Sequence, residues 1–540
     1  MYTSVLSAAI HGLEAVPVRV EVDVSSGLPG FSMVGSPGSQ AREAQDRVRT
    51  ALHNARISMP PSKVTVNLSP GDIPKNGTGF DLPITGAILE ILGRIPSGSL
   101  EGVMVTGEIG LDGKVRGVRG ILSMVSLAKE MGCTACIVPE DNLREACMVE
   151  NIRIAGVDSL EKFEETVRRK SWNLNRGLRE NMMPGQVVTG QGMPKQMIQG
   201  KEMQGKTLKE DTTEASAIYP DFADIKGQVP AKRAALLAAA GFHNLLLIGP
   251  PGSGKTMLAG RIPGLLPELT RSEALELTAI YSVAGMLPKE EPWIGKRPFR
   301  APHHTIPPQA LAGGGRIPVP GEITLAHRGV LFLDEFPEMK RASLELLRQP
   351  LEERKIWISR MGGRYCFPAE FLLVAAMNPC PCGYYPDRNR CCCSQYEVNR
   401  YLNRVSQPLL DRMDLCAETA APAYEEFRDR TKEKVWTTAS MRQMAGEALK
   451  IQEERYRKEN FRFNGEIPAE KIEEYCVTES EAEALLKCAF AELGLTGRGC
   501  SRILKVARTA ADLSGSEKIR EEHMAEAIGY RSLDKQYWKI

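Results

Sequence analysis

The stretch that decides the fold is NLLLIGPPGSGKTMLAGRI, residues 244–262. It begins with an unbroken apolar run, Leu245 to Ile248, which is typical of a buried strand, and it continues into a helical pattern. The residues between the two fit the phosphate-loop pattern G-x-x-x-x-G-K-[ST], in the strand–loop–helix setting that this pattern requires. The sequence therefore predicts an α/β nucleotide-binding domain built around this loop.

The loop offers both backbone and side-chain groups to a nucleotide. Its glycines let successive backbone N–H groups turn toward phosphate oxygens, and the N-terminus of the following helix adds its dipole. Lys255 is expected on the β- and γ-phosphates, and the Thr256 hydroxyl is expected on Mg²⁺. ATP and Mg²⁺ are the ligands that the pattern implies. The predicted nucleotide-binding residues are Gly249, Pro250, Pro251, Gly252, Ser253, Gly254, Lys255 and Thr256.

Two further apolar runs end in polar residues that suit hydrolysis. GVLFLDEF, residues 329–336, places Asp334 to hold Mg²⁺ and Glu335 to polarise the attacking water. EFLLVAAMNP, residues 370–379, ends in Asn378, whose amide is placed to orient that water in the sensor-1 role. A turn asparagine before a proline is the competing interpretation. Together with the loop, these runs predict an ATP hydrolase.

Four motifs, GPPGSGKT, GVLFLDE, AAMNPCPCG and PLLDRMDL, together resemble one branch of the AAA+ ATPases. The branch is the magnesium-chelatase-like ATPases, and within it the ComM/YifB family. The strings GLPGFSMVG, DLPITGAIL and PGEITLAHRG extend the resemblance over nearly the whole chain. Members of the family are ring-forming ATPases, typically hexameric, and ComM is a DNA branch-migration helicase in natural transformation. The resemblance therefore implies an ATP-driven DNA motor that supports recombination or transformation.

The resemblance also implies roles for two arginines. Arg412 in LLDRMDL matches the arginine finger, which reaches the γ-phosphate bound by a neighbouring subunit. Arg498 in LTGRGCSRIL matches the sensor-2 arginine of the helical lid, with Arg502 as a second candidate. A finger supplied by the neighbour makes hydrolysis depend on the subunit interface, and this is a physical reason for a homo-hexameric ring.

Two basic segments are the candidate DNA contacts. ISRMGGRYCF, residues 358–367, predicts a β-hairpin with two glycines at its turn, and it resembles the presensor-1 hairpin of this clade. The Gly/Pro-rich segment 297–329 resembles the helix-2 insert. Short basic tips suit phosphate contacts that are independent of sequence, although each charge taken singly also fits a solvated loop. The candidates are Arg297, Arg300, His303, His304, Arg316, Arg360 and Arg364.

Residues 1–168 alternate strand-like and helical runs, which predicts an α+β domain. The segment resembles the Lon-protease fold, but Gly79 falls where the catalytic serine stands and Leu122 falls near the place of the lysine. A Ser–Lys dyad needs a hydroxyl and an amine within hydrogen-bond reach, so we expect a non-proteolytic domain. Residues 169–217, rich in Gly, Gln, Met and Lys, predict a flexible linker, with an atypical helix as the alternative.

The remaining chain divides into a predicted AAA+ core, residues 218–420, and a helical lid, residues 421–540. The predicted fold class is therefore multidomain α/β, with a Lon-like α+β domain in front of the P-loop core. A length of 540 residues fits this division, since it predicts about three to four domains. A net charge of +2 means that DNA contact has to come from local basic patches.

A cysteine cluster, CPCGYYPDRNRCCCSQ at residues 380–395, carries five of the chain's thirteen cysteines. Four thiolates close a tetrahedral zinc site, and the eight residues between the two C-x-C pairs can bring them together. Unpaired thiols and a redox-sensitive disulfide are the alternatives, and Cys392 can also replace one of its neighbours. The ComM/YifB family carries a similar arrangement, so the resemblance favours structural Zn²⁺. The expected ligands are Cys380, Cys382, Cys391 and Cys393.

Three further expectations concern location and function. The longest apolar stretch, AALLAAAGFHNLLLIG, is too short to span a bilayer, and no targeting segment is apparent, so we expect a cytoplasmic protein with no membrane partner. A magnesium-chelatase-type remodeller of a protein partner is the alternative function. An ATP-dependent protease is disfavoured by Gly79 and Leu122.

Overall fold

A computed structural model of the chain describes residues 1–59, 61–172, 219–288, 290, 292–315, 317–360, 363–420 and 436–538, without the side chains of 532–536. Most of the predicted linker, residues 169–217, and the candidate Arg316 lie outside the described residues. Two compact units are present, one built mostly from residues 1–172 and the other mostly from residues 219–538. Each unit has its own sheet and its own hydrophobic core.

The first unit is built on a seven-stranded mixed sheet in the order β3-β4-β2-β1-β5-β8-β9, beside a short β6–β7 ribbon. Its strands are β1 (Tyr2–His11), β2 (Glu14–Ser25), β3 (Gly30–Val34), β4 (Lys63–Ser69), β5 (Val103–Val105), β6 (Glu108–Ile109), β7 (Val115–Arg116), β8 (Ala135–Pro139) and β9 (Arg153–Val157). Its helices are α1 (Ser39–Arg42), α2 (Ala44–Asn54), α3 (Asp81–Ile91), α4 (Ile121–Glu130), α5 (Leu143–Ala146) and α6 (Leu160–Arg169). This architecture agrees with the predicted α+β domain.

Alternation along β2 shows how the sequence builds this sheet. Val18, Val20 and Val22 are buried, while Arg19 between them is exposed, as expected for a strand with one face on the core. The unit continues past α6, because Trp172 is buried and joins the same core. The compact domain therefore extends four residues beyond the predicted boundary at residue 168.

The resemblance places Gly79 and Leu122 at or near the positions of the Lon dyad, and neither residue carries a hydroxyl or an amine. A Cβ atom at Gly79 would lie 2.9 Å from Thr106 Oγ1, so the threonine hydroxyl takes the space of a larger side chain. Leu122 lies in α4 and is only 3% exposed. Both positions are therefore closely packed, and the non-proteolytic character of the domain stays a prediction.

The second unit is built on a five-stranded sheet in the order β11-β14-β17-β10-β18, in which every pairing is parallel. Its strands are β10 (Leu245–Ile248), β11 (Phe299–Arg300), β12 (Gly313–Gly314), β13 (Val319–Pro320), β14 (Val330–Leu333), β15 (Lys355–Arg360), β16 (Gly363–Pro368), β17 (Leu372–Met377) and β18 (Leu415–Glu418). Two antiparallel ribbons, β12–β13 and β15–β16, lie outside the main sheet.

Helices cover this sheet and continue into the C-terminal region. They are α7 (Val229–Gly241), α8 (Lys255–Ala259), α9 (Arg271–Ala284), α10 (Pro308–Ala312), α11 (Glu322–Leu325), α12 (Arg341–Leu346), α13 (Arg348–Glu353), α14 (Gln395–Leu402), α15 (Gln407–Leu410), α16 (Thr438–Arg455), α17 (Ile472–Tyr475), α18 (Ser480–Leu493), α19 (Gly497–Leu513) and α20 (Glu521–Tyr537). The described part of the predicted lid is thus helical. Within the described residues, none of the helices is both long enough and apolar enough to cross a membrane.

The central strands are buried on both faces, which is typical of a parallel sheet covered by helices. Leu245 and Leu247 of β10 face the core that contains α7 and the lid helices α16 and α19. Leu246 and Ile248 face the opposite core. Because one core holds residues of the ATPase core and of the lid together, the lid packs firmly on the sheet.

Candidate functional site

The strand order brings the predicted hydrolysis residues together at one edge of the sheet, the edge formed by the carboxyl ends of the parallel strands. Strand β17 lies between β10 and β14, with Ile248 opposite Met377 and Leu333 opposite Ala375. Since all three strands run parallel, the segments that follow them emerge at the same edge. The phosphate loop, Asn378 and the Asp334–Glu335 pair are therefore neighbours.

Lys255 lies at the centre of this edge. Its Nζ atom donates hydrogen bonds to the carbonyl oxygens of Gly249 at 2.8 Å and Pro250 at 2.9 Å, and to Asn378 Oδ1 at 3.2 Å. Burial lowers the pKa of this ammonium below its usual range. The contact with Asn378 favours the sensor interpretation of that residue over the turn interpretation, because the amide lies beside the predicted phosphate-binding lysine.

Thr256 and Asp334 form the second contact across the site. Thr256 Oγ1 donates to Asp334 Oδ2 at 2.8 Å. A hydroxyl and a carboxylate are oxygen ligands that Mg²⁺ prefers, so the two predicted ligands fit this ion. Gly252 and Gly254 have φ values of 76° and 82°, the left-handed region that favours glycine. The loop therefore has the backbone geometry that its glycines predict.

Glu335 lies immediately after Asp334, the predicted magnesium ligand, and takes a left-handed conformation, with φ at 49°. Its backbone N–H donates to Asp334 Oδ1 at 2.9 Å. Its carboxylate pairs with a residue far away in the chain, since Glu335 Oε2 lies 2.7 Å from His304 Nδ1. His304 is one of the predicted DNA contacts, and the structure places its ring beside the predicted hydrolysis residue Glu335.

Two residues beside the phosphate loop were missed by sequence reasoning. Gln228 Nε2, at the start of α7, donates to the carbonyl oxygen of Ser253 at 2.5 Å. Thr419 Oγ1 lies 2.7 Å from Ser253 Oγ. Thr419 follows β18 at the same sheet edge as the other site residues, so a polar residue after a buried strand was the available signal. Nothing in the sequence pattern links Gln228 to the loop.

Arg412 and Arg498 lie at the opposite edge of the sheet, the edge formed by the amino ends of the parallel strands. The backbone carbonyl of Arg412 accepts from Asn244 Nδ2 at 3.0 Å, and Asn244 directly precedes β10. A strand rises about 3.3 Å per residue, so Asn244 is roughly 16 Å from Gly249, which follows the other end of β10. Neither arginine is therefore positioned by this sheet at its own phosphate loop.

Glu352 of α13 joins these two arginines. The Arg412 side chain is 6% exposed, and its guanidinium forms an ion pair with Glu352. Arg498 Nη1 lies 3.6 Å from the same carboxylate oxygen, although its side chain is 76% exposed. Arg502 pairs instead with Asp414 and donates to the carbonyl oxygen of Arg412 at 3.0 Å. Arg502 is thus a structural anchor, and Arg498 is the arginine that remains accessible.

The structure divides the predicted DNA contacts of the Gly/Pro-rich segment. Arg297 is buried and donates to the carbonyl oxygens of Pro267 and Arg328. Arg300 forms a bidentate pair with Glu322, at 2.6 and 2.7 Å. Acceptors within the chain hold both guanidinium groups, that of Arg297 in a buried position and that of Arg300 in a partly exposed one, so these contacts stabilise the fold.

The hairpin β15–β16 carries the other basic candidates. The predicted hairpin is present, with Arg360 opposite Gly363 and Ser359 opposite Arg364. Arg360 and Arg364 are exposed, and the Arg364 guanidinium lies 4.1 Å from the ring centroid of Trp357. Trp357 is itself 38% exposed, and sequence reasoning missed it. Exposed cations beside an exposed aromatic ring suit contact with phosphates and unpaired bases.

The four predicted zinc ligands converge in the cysteine cluster. The thiol sulfurs of Cys380, Cys382, Cys391 and Cys393 all lie within 4.8 Å of one another. The Sγ–Sγ distances are 3.3 Å between Cys380 and Cys382, 3.8 Å between Cys380 and Cys391, and 3.6 Å between Cys382 and Cys391. Four sulfurs at about 2.3 Å from a tetrahedral zinc are about 3.8 Å apart. The donor set therefore fits Zn²⁺.

The surroundings of the cluster support the same assignment of ligands. Cys392 is exposed and lies outside the group, so the structure favours the register in which Cys391 and Cys393 are ligands. The backbone N–H groups of Gly383 and Tyr385 donate to Cys380 Sγ at 3.2 and 3.4 Å. All thirteen cysteines are free thiols, so the structure contains no disulfide in this loop.

Comparison with protein-family models gives matches along most of the chain. Residues 221–427 match the model described as magnesium chelatase, subunit ChlI. Residues 20–142 match subunit ChlI of Mg-chelatase, and residues 436–531 match the ChlI C-terminal model.

Full-length relatives are similar over almost their entire sequences. The chain is 41% identical to the competence protein ComM of Haemophilus influenzae over 541 residues, which covers 99% of this chain and 98% of ComM. It is 39% identical to YifB of Escherichia coli over 528 residues, with 98% and 96% coverage. A shorter match, 29% over 133 residues, is to the Lon protease of Chlamydia muridarum, covering 23% of this chain and 16% of that protease.

Proposed function

Since the chain belongs to the ComM/YifB family of magnesium-chelatase-like ATPases, we propose that it couples ATP hydrolysis to the movement of branched DNA. The proposed working form is a homo-hexameric ring, and the proposed role lies in homologous recombination or natural transformation. ATP is its substrate, Mg²⁺ its cofactor, and branched or single-stranded DNA its partner. A structural Zn²⁺ in the cysteine cluster completes the proposal.

The residues at the phosphate-loop edge supply the chemistry of hydrolysis. Lys255 binds the β- and γ-phosphates, while Thr256 and Asp334 hold Mg²⁺, which neutralises phosphate charge when bound. Glu335 polarises the attacking water as a general base, and Asn378 orients it. The contact of Lys255 Nζ with Asn378 Oδ1 supports this division of roles, because it already joins the phosphate-binding residue to the sensor.

The observation that carries the DNA proposal is the position of the exposed hairpin in the chain. Trp357, Arg360 and Arg364 lie on β15–β16, and a few residues later the chain enters β17, which ends directly before Asn378. Glu352, the partner of Arg412, lies in α13 just before the hairpin. The hairpin that would bind the DNA strand is therefore linked along the chain to the γ-phosphate sensor on one side. On the other side it is linked to Glu352, which holds the arginine finger.

The ring proposal is supported by the two arginines at the opposite sheet edge. Their common contact is Glu352, and neither reaches the phosphate loop of its own sheet. An arginine-bearing edge in one subunit and a phosphate loop at the other edge of the next subunit form a head-to-tail interface. Repetition of this interface forms a ring when the rotations between neighbouring subunits add up to a full turn. Each active site then contains residues of two subunits.

The proposed function is tested by ATP-dependent branch migration on a synthetic Holliday junction. We expect the wild-type protein to bind the junction and to separate it into duplex products only when ATP and Mg²⁺ are present. Lys255→Ala is the matched control, and it should bind the junction without moving it. Gel shift and strand-separation assays measure the two steps independently.

Three outcomes distinguish the candidate functions. If the wild type hydrolyses ATP but neither binds nor moves DNA, the DNA proposal fails and remodelling of a protein partner takes its place. If the purified protein cleaves casein, the non-proteolytic assignment of the first unit is wrong. If the junction moves equally well with Lys255→Ala, movement is not coupled to this nucleotide site.

Mixing two inactive variants tests the shared active site. Arg412→Ala retains an intact phosphate loop, whereas Lys255→Ala retains an intact arginine finger. We expect each variant alone to lose ATPase activity and a one-to-one mixture to regain it, since about a quarter of the interfaces in random rings then combine both intact halves. Steady-state ATP turnover as a function of mixing ratio measures the recovery.

Arg404→Ala is the control for this experiment. Arg404 is an exposed arginine close to Arg412 in the chain, and it pairs with Glu338, away from Glu352. Its replacement should leave turnover near the wild-type rate. If the Arg412→Ala and Lys255→Ala mixture stays inactive although native mass spectrometry detects mixed rings, Arg412 does not act across the interface.

A further inference from the structure

The cysteine cluster carries basic and aromatic side chains that have no part in the hydrolytic site or the basic hairpin. They come from the loop between the two C-x-C pairs and from the exposed face of α14. We name this set the loop surface, and its members are Tyr384, Tyr385, Arg388, Arg390, Tyr396 and Arg400. None of them is among the DNA contacts that the sequence predicts.

Two pairs of arginine and tyrosine form the loop part of this surface. The Arg390 guanidinium lies 4.3 Å from the ring centroid of Tyr384, and the Arg388 guanidinium lies 5.0 Å from that of Tyr385. Both arginine side chains are exposed. Unpaired bases stack on tyrosine rings and on guanidinium planes, and guanidinium N–H groups donate to phosphate oxygens. The two pairs therefore offer both kinds of contact that a single nucleic-acid strand needs.

Arg388 connects the loop to the start of α14. Its Nη2 atom donates to Gln395 Oε1 at 2.5 Å, and Gln395 Nε2 donates to Asn399 Oδ1 at 2.9 Å. Tyr396, directly after Gln395, is 73% exposed. Arg400 is also exposed and lies one helical turn further along the same face. The loop and the helix thus form one continuous surface.

The loop surface is held in place by contacts beneath it. The four thiols of the cysteine cluster converge there. The Tyr385 ring meets the Tyr537 ring edge to face, with centroids 6.3 Å apart. Gly383 packs against the phosphate loop, since a Cβ atom at this position would lie 2.5 Å from Pro251 Cδ. A surface that is already ordered loses little conformational entropy when a ligand binds.

The charges of the loop surface favour an anionic partner. Within the described residues, Arg390 and Arg400 form no ion pair. The two acids of the same stretch accept from backbone N–H groups, Asp387 Oδ1 from Asn389 at 3.0 Å and Glu397 Oε2 from Ser394 at 2.8 Å. The two guanidinium groups are therefore not neutralised by these neighbouring carboxylates.

We propose that the loop surface binds single-stranded nucleic acid, with bases stacked on Tyr396 and on the two arginine–tyrosine pairs, and with phosphates bound by Arg390 and Arg400. The inference rests on the proposed function and adds a second contact for its DNA partner. The hairpin β15–β16 precedes β17 and the cysteine cluster follows it, so the two surfaces are joined to opposite ends of one strand. Nucleic acid bound at the loop surface lies beside the phosphate loop.

The first test follows the binding of a fluorescein-labelled oligothymidylate to the full-length protein by anisotropy at increasing salt. For Arg390→Ala/Arg400→Ala, the slope of log affinity against log salt should fall by about 1.4, since each phosphate contact on a single strand contributes about 0.7. Arg457→Ala/Lys458→Ala is the matched control, because it removes two exposed charges from the lid. It should keep the wild-type slope. An unchanged melting temperature shows that each variant is folded.

The second test examines stacking at Tyr396. Tyr396→Ala should weaken binding of the oligothymidylate by about five- to hundredfold, the range for one stack between a base and an aromatic ring. Tyr396→Phe keeps the ring and should bind like wild type. A folded double arginine variant with the wild-type slope, or Tyr396→Ala with the wild-type affinity, overturns the inference.

The wild-type protein separates this inference from the proposed function. Wild type that binds the Holliday junction but not the oligothymidylate contradicts the loop surface as a single-strand site and leaves the proposed function in place. Wild type that binds neither contradicts both. Variants of the loop surface that bind the oligothymidylate as tightly as wild type contradict this inference alone.

Discussion

Replacing Glu335 with Gln is expected to leave ATP binding intact and to lower ATP turnover by about 10²–10⁴-fold, the usual contribution of a general base. The amide keeps the size and polarity of the side chain but cannot accept a proton from water. The phosphate contacts remain, since Lys255 and Thr256 lie on a different loop and touch Asn378 and Asp334. Steady-state turnover and the affinity for a fluorescent ATP analogue separate chemistry from binding.

The controls for this variant come from the same sheet edge. Lys255→Ala should lose ATP binding itself, because it removes the only charged group that the phosphate loop places on the β- and γ-phosphates. Glu338→Gln is the matched acid, since Glu338 is three residues further on and pairs with Arg404. It should retain turnover close to wild type. Unchanged turnover in Glu335→Gln would show that another group activates the water.

Removing zinc from the cysteine cluster is expected to destabilise the ATPase core by at least about 3 kcal/mol, because a structural zinc site contributes its binding energy to folding. Wild type should contain one zinc per chain by elemental analysis. The double variant Cys380→Ser/Cys391→Ser should contain none and unfold at a lower temperature. Cys392→Ser is the control, since this exposed thiol lies outside the group of four and should not affect zinc content.

Loss of zinc should also weaken ATP binding, because the cysteine cluster contacts the phosphate loop. A Cβ atom placed on Gly383 would lie 2.5 Å from Pro251 Cδ, which shows how closely the two loops pack. The chain enters the cluster directly after Asn378 and Pro379, so disorder there also loosens the sensor. ATP affinity, measured with and without a chelator, reports this effect. Zinc well below one per chain in wild type would instead leave unpaired thiols or a redox-sensitive pair as the explanation.

Residues that belong to a motif within one short segment could be predicted from the sequence. The phosphate loop is local, because its glycines, Lys255 and Thr256 follow one strand and begin one helix. Asp334 and Asn378 could be predicted for a similar reason, since each directly follows an apolar run whose length is typical of a buried strand. The two C-x-C pairs also lie within one short segment. In these cases the chain itself keeps the interacting groups close together.

Contacts between distant segments were not predictable in this way. The Gly/Pro-rich segment offered basic residues as DNA contacts, with solvated loop charges as the alternative, but its pattern did not predict that Arg297 is buried or that Arg300 pairs with Glu322. The same segment delivers His304 to Glu335, thirty-one positions further along the chain. Composition identifies a charged side chain, but its partner depends on which loops meet at a sheet edge.

The sequence by itself determined the family, the α/β class and the groups of the proposed nucleotide site, because motif spacing and apolar runs depend on neighbouring residues. The tertiary structure decided where those groups lie relative to each other. The parallel order β11-β14-β17-β10-β18 placed Asn378 beside Lys255 and left Arg412 and Arg498 at the opposite edge, with Glu352 between them. Strand order is a property of long-range packing, which the apolar run of each buried strand does not specify.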